Sequence, residues 1–256
     1  MKYFIHLAYH GTNYSGWQRQ KNVITIQETL EDTLEKMVGY QVLCTGCGRT
    51  DKGVHASQYI CHIFIKETLS YDPVFRLNKM LPKDITIYEF IPVADRAQAQ
   101  YDVIDRTYTY HIRGQENPFF HQLSALHDLD QLEIEQMELA AAMLVGKQDF
   151  KSFCKQPDVY KHTFCEVQAA ELIHKGAQHL QFSITANRFI RGMVRLLVGN
   201  LLSVGTGALP LEIFEKAIKS QTTLPYFRMA YPQGLYLSKV RYAYLELPNR
   251  SFSNFP

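Results

Sequence analysis

Apolar residues recur along this chain at two periods. Tyr3, Ile5, Leu7 and Tyr9 occupy every second position, which predicts a strand over 3–9. A Gly/Asn/Ser-rich turn follows from Gly11 to Gly16. Thr25 with Glu28 three residues later forms a capping box. Ile26, Leu30, Leu34, Met37 and Val38 then repeat at helical spacing until Gly39 supplies a stop. A short strand is expected over 41–45, a Gly-rich loop over 46–56, and a buried strand over 58–65. Asp72 and Pro73 open a second helix that runs to about Leu81, and 85–90 reads as a strand.

The second half repeats this order. Strand 106–113, helix 132–145 and a hairpin of strands 164–174 and 179–185 around Lys175-Gly176 come first. Helices 189–202 and 211–219 and a closing strand 235–247 complete it. Two β-α-β-β-α-β series predict an α+β fold of two ferredoxin-like halves, residues 1–104 and 105–256. They are expected to join around a central antiparallel sheet, with an active-site cleft between them.

Composition narrows the class rather than the function. Of 256 residues, 46% are hydrophobic and 20% charged, as in ordinary globular proteins. The absence of an apolar run of about 18 residues argues against a membrane helix. The opening residues lack a signal-peptide pattern, and a cytoplasmic location is expected. A net charge of +2 means that any nucleic-acid contact must come from local clustering. The odd cysteine count favours free thiols. Cys44 and Cys47 lack two further ligands at zinc spacing, since Cys61 and His62 are adjacent and point to opposite strand faces. No metal site is expected.

Chemistry concentrates in the loop Gly46–Ala56. Arg49 and Asp51 alternate in a short extended stretch and can share a side, where a guanidinium favours the ionised carboxylate. Such an Asp can serve as base or nucleophile, or the pair can be structural. Arg188, Arg191 and Arg195 fall at spacings of three and four on the expected helix 189–202. They form one basic stripe, either an ordinary solvated face or a phosphate contact. Tyr108 and Tyr110 share a strand face, for cross-strand packing or for stacking on a base.

The segment Gly48-Arg49-Thr50-Asp51-x-Gly53-Val54-His55-Ala56 resembles the active-site signature of the TruA-type tRNA pseudouridine synthases. Further resemblances follow in the family's order. These are Tyr9-x-Gly11-Thr12-x-Tyr14-x-Gly16-Trp17-Gln18-x-Gln20, Thr25-Ile26-Gln27 and Arg106-x-Tyr108-x-Tyr110. Gly146-x-x-Asp149-Phe150-x-Ser152-Phe153, Asn187-x-Phe189-x-x-x-Met193-Val194-Arg195-x-x-Val198-Gly199 and Gly234-Leu235-Tyr236-Leu237 complete the set. The resemblance covers nearly the whole chain.

It implies an isomerase that converts uridine to pseudouridine at positions 38, 39 and 40 of the tRNA anticodon stem-loop, without cofactor or metal. It also implies a homodimer. Asp51 matches the family's aspartate, a nucleophile at C1′ of ribose or C6 of the base, or the group that assists a glycal route. Tyr108 matches the tyrosine that stacks on the target base. Arg195 matches the arginine that pairs with the aspartate, and Arg49 the one that helps to open the RNA. Leu235 or Leu237 matches the apolar floor beneath the uracil. Base flipping is required, because the reacting atoms are out of reach in a stacked helix. Lys52, Arg188 and Arg191 are the expected phosphate contacts.

The sequence departs from the family pattern in three places. Cys47 and Lys52 stand where small residues are usual, and Gln100 stands where an arginine is expected. Two rival readings follow: an RNA-binding protein without turnover, and a hydrolase that uses Asp51 with His55.

Overall fold

The computed structural model describes residues 1–220, 224 and 228–248. The chain divides into two compact units. One comprises Met1–Ile104 with the closing segment from Tyr236, and the other is Asp105–Leu235.

In the first unit, strand β1 (Lys2–Tyr9) lies between β4 (Ile85–Val93) and β3 (His55–Phe64), antiparallel to both. On the far side of β3 lie β2 (Thr45–Gly46), antiparallel, and β10 (Leu235–Tyr242), parallel. Helix α1 (Ile26–Val38) begins where Thr25 Oγ1 accepts the Glu28 N–H at 3.3 Å. It ends where Gly39 turns left-handed. Ile26, Leu30, Leu34 and Met37 are its buried face. Helix α2 (Pro73–Met80) is capped by Asp72, whose carboxylate accepts from the N–H groups of Val74 and Phe75.

The strand expected over 41–45 shrinks to two residues for a reason that lies in α1. Glu31 is buried, and its carboxylate accepts the Cys44 N–H at 2.9 Å, while Gln27 Nε2 donates to the Cys44 carbonyl at 2.9 Å. Both backbone groups of Cys44 are spent on helix side chains rather than on a neighbouring strand.

In the second unit the sheet order is β5 (Val103–Arg113), β9 (His179–Ala186), β8 (Phe164–Gly176) and β7 (Gly146–Asp149), antiparallel throughout. The short β6 (Ala125–Leu126) runs parallel to the end of β5. Neither β6 nor β7 was expected. Helix α3 spans Ile134–Ala142, shorter than the predicted 132–145, and α5 spans Leu211–Lys219 as predicted.

Helix α4 begins at Met193, four residues later than the sequence pattern suggests, and ends at Gly205, three residues later. Gly192 at φ +75° breaks any continuation backwards. Arg188 and Arg191 therefore lie in the loop before α4, and the single basic stripe on one helix does not exist. Among described residues the fold is α+β with five α-helices. Eleven of the thirteen α4 residues are buried, so the helix is a core element.

Candidate active site

In the first unit the Asp51 loop is held by residues of the N-terminal motif and by the strand that follows it. Thr50 is buried between two exposed neighbours, Arg49 and Asp51. Its carbonyl accepts the Trp17 N–H at 3.2 Å, and its hydroxyl lies 2.8 Å from the Tyr9 hydroxyl. Upstream, the Cys47 N–H donates to Ile60 O at 2.7 Å, and Tyr59 donates its hydroxyl to Gly48 O. Downstream, the Val54 N–H returns to Asp51 O at 3.1 Å, and the Gly53 N–H reaches Tyr14 O at 3.3 Å. The loop is thus tied on both sides of Asp51.

Two glycines of the N-terminal motif permit this closeness. A Cβ on Gly16 would sit 2.4 Å from Thr50 O, and one on Gly11 would sit 2.0 Å from Val54 O. No side chain fits at such distances. Trp17 stacks on Tyr59 with ring centroids 4.1 Å apart, and both are almost wholly buried. Burial pushes the Tyr59 phenol well above its ordinary range, so it stays a donor to Gly48.

His55 closes the loop. Its Nδ1 accepts the Gly11 N–H at 3.0 Å, which places the ring's own proton on Nε2. It stacks on Tyr236 at 4.6 Å, and the His10 ring lies 4.6 Å away on a tilt. His10 is lowered by burial, against the pull of Asp84. Asp84 also accepts from Tyr14 at 2.6 Å, which together with burial raises that phenol.

In the second unit, Tyr108 and Tyr110 share one face of β5, opposite Ile184 and Phe182 of β9. The Tyr108 ring meets Phe189 edge-on at 4.9 Å. Tyr110 donates to Tyr231 O at 2.9 Å. Burial raises its phenol, and the Arg195 cation partly offsets the rise. Arg195 sits in the first turn of α4 and is held by a reciprocal pair. Its Nε donates to Ala230 O at 2.8 Å, and its carbonyl accepts the Ala230 N–H at 2.9 Å. The backbone of residue 230 thereby fixes the direction of the guanidinium.

Arg188 and Arg191 come together around one tyrosine rather than along a helix. Arg188 lies over the Tyr160 ring at 5.7 Å. The Arg191 N–H donates to the Tyr160 hydroxyl at 3.0 Å, and its guanidinium donates to Gln156. Leu235 and Leu237 are both buried, two positions apart on β10. By unit, Arg49, Asp51, Lys52 and Leu237 belong to the first, and Tyr108, Arg188, Arg191, Arg195 and Leu235 to the second.

Sequence reasoning did not assign roles to Tyr9, Gly11, Gly16, Trp17, Thr50 and Tyr59, which grip the Asp51 loop, or to Ala230, Tyr160 and Phe189. The two glycines with Trp17 carried a signal, since small and large residues so closely interleaved mark a tight backbone approach. Ala230 carried none, because its backbone does the work. Among described residues no group of three or more His, Cys, Asp or Glu side chains is placed to hold a metal ion.

A family model described as tRNA pseudouridine synthase matches residues 140–243. The tRNA pseudouridine synthase A of Porphyromonas gingivalis is 41% identical over 246 residues, which cover 94% of this chain and 97% of that protein. The protein of the same name from Bacteroides fragilis is 39% identical over 244 residues, covering 94% and 96%. The one from Azobacteroides pseudotrichonymphae is 38% identical over 256 residues, covering 99% of each.

Proposed function

This chain belongs to the tRNA pseudouridine synthase A family, and from that premise we propose that it isomerises uridine to pseudouridine at positions 38, 39 and 40 of the tRNA anticodon stem-loop. The N1–C1′ bond of the uridine breaks, the uracil turns, and C5 bonds to C1′ while its proton is lost and N1 gains one. Product and substrate have equal mass, and no electron acceptor or cofactor enters the balance.

Asp51 is the nucleophile, at C1′ or C6, or the group that assists a glycal route. The observation that carries this is its presentation. Asp51 is exposed in a loop whose adjoining residue is buried and bonded through both backbone and side chain. A carboxylate held in this way meets a flipped nucleotide without first being ordered. Tyr108 stacks on the base and moves a proton. Arg195 and Arg49 are the cations of the reaction. Leu235 or Leu237 supplies the apolar floor, and Lys52, Arg188 and Arg191 contact phosphate.

The first unit supports a ferredoxin-like half. It runs β1-α1-β2-β3-α2-β4, and its strands neighbour one another in the order β4-β1-β3-β2, antiparallel throughout. We assign the second half to 105–256, and we assign the protein to the cytoplasm as a homodimer. The hydrolase reading loses its base: His55 is buried, with Nδ1 committed to Gly11.

Purified protein incubated with tRNA transcripts bearing uridine at 38, 39 or 40 should yield pseudouridine there, mapped by carbodiimide labelling and primer extension. Folded Asp51→Asn should yield none, because an amide of similar shape is a poor nucleophile. Normal turnover in that variant would overturn the assignment. Free uracil would indicate a hydrolase, and tRNA binding without product would indicate a binding protein.

A further inference from the structure

We propose that the hydroxyl pair Tyr9–Thr50 is a positioning device for the reaction, setting where the Asp51 carboxylate stands rather than merely holding the fold together. The inference rests on the reading of Asp51 as the nucleophile. Neither Tyr9 nor Thr50 touches substrate in it. Both act through the residue next to Thr50.

The geometry separates three kinds of tether on this loop. The backbone bonds from Trp17 to Thr50 O, from Cys47 to Ile60 O and from Gly53 to Tyr14 O fix the path of the chain. The Tyr59 bond to Gly48 O fixes the entry into the loop. Only the Tyr9–Thr50 pair, at 2.8 Å and buried, acts on a side chain directly beside Asp51. Burial alternates along this stretch, with Arg49 exposed, Thr50 buried and Asp51 exposed, so the Thr50 and Asp51 side chains face opposite ways. Holding the Thr50 side chain inward therefore holds the Asp51 side chain outward, and a rotation of one carries the other.

The anchor itself is rigid. Tyr9 ends β1, and its ring packs against Tyr59 at 5.5 Å and Trp17 at 6.2 Å. Tyr9 and Tyr59 lie on neighbouring antiparallel strands, with an irregularity in the register between the pairs Leu7↔Tyr59 and Tyr9↔Ala56. The phenol thus reaches Thr50 from the sheet and does not follow the loop if the loop moves. A misplacement of about 1 Å at a reacting group can cost about 100-fold in rate. That is far more than one hydroxyl pair contributes to folding.

A set of four variants tests this on unmodified tRNA transcripts, with kcat and KM for pseudouridine formation read beside thermal unfolding. Tyr9→Phe and Thr50→Val each remove one hydroxyl of the buried pair, so both should unfold earlier than wild type. The double variant Tyr9→Phe/Thr50→Val removes both hydroxyls of the pair together and should recover much of that loss. Its kcat should nevertheless stay tens of times to about 100-fold below wild type, with KM within about twofold. Thr50→Ser, which keeps the hydroxyl, should retain most of the turnover. Stability and kcat recovering together in the double variant would overturn the inference, as would unchanged kcat in Tyr9→Phe. If the wild-type protein itself forms no pseudouridine, it is the functional reading that fails.

Discussion

At the scale of single residues, Gly16 of the N-terminal motif and Gly39 at the end of α1 are costly positions for different reasons. Gly16 has φ +88° and would press a Cβ against the Thr50 carbonyl; Gly39 has φ +82° and open space around it. Alanine at Gly39 should cost about 1–2 kcal/mol, the usual strain of a left-handed residue, and leave turnover intact. Alanine at Gly16 adds a backbone clash worth about 1–3 kcal/mol more and displaces Thr50. Denaturant unfolding should rank Gly16→Ala well below Gly39→Ala, and only Gly16→Ala should lose turnover. Equal stability and equal activity in the two would show that the Gly16 contact is slack. The candidate site side chains were named at this scale by the resemblance to the family's motifs. The residues that place them were not, since an alanine that works through its backbone, as Ala230 does, leaves no mark in a pattern of side chains.

Among elements, legibility followed how local each signal was. Helices α1 and α5 matched their predicted limits because caps and apolar spacing lie within the element itself. The strand before the Asp51 loop was over-read, since Glu31 and Gln27 on α1 capture Cys44, and no local window contains that contact. The helix start at 189 was misplaced because Phe189, Met193 and Leu196 keep helical spacing across a break that one left-handed glycine creates.

Strands β5 and β9 carry a pH dependence of their own. His111 Nδ1 and His179 Nε2 lie 2.9 Å apart, an arrangement that needs one ring to accept a proton from the other. His179 is pushed down to about 4 by burial, then by the Arg113 and Lys175 cations. Unfolded histidine takes its proton near 6.5. Between these values the unfolded chain binds the proton and the folded chain does not. Stability should therefore fall as pH is lowered from about 6.5 to about 4, and level off below. His10 and His62 are also lowered by burial and contribute in the same direction. The gap between wild type and His179→Gln in denaturant unfolding isolates the His179 share. Parallel curves for the two proteins across that range would refute it.

For the molecule as a whole, the first unit draws on two distant stretches of chain. Gln58 on β3 is fully buried, and its Oε1 accepts the Val240 N–H at 2.8 Å across 182 residues of sequence. Its Nε2 donates to Pro248 O at 3.2 Å. Beside it, Tyr236 and Leu237 pair with His55 and Ala56. Gln58→Ala leaves a buried backbone donor unpaired and should cost about 1–3 kcal/mol in denaturant unfolding. Wild-type stability in that variant would mean that the closing segment is held without Gln58. Strands mixed with helices were visible in the hydrophobic pattern. The membership of the last strand was not, because it is decided by pairing across that long separation.

Synthesis runs in one direction, and this return of the chain gives it an order. Asp51 and its loop leave the ribosome early, while the strand that pairs beside His55 follows only after the whole second unit. At about 5–20 residues per second that interval is roughly 10–40 s. A chain released prematurely would carry Asp51 and the residues described as holding its loop, yet lack the strand beside His55 and Gln58. Leu235 and Leu237, proposed beneath the uracil, are made only with that last strand, so a chain that stops short of β10 should show no turnover.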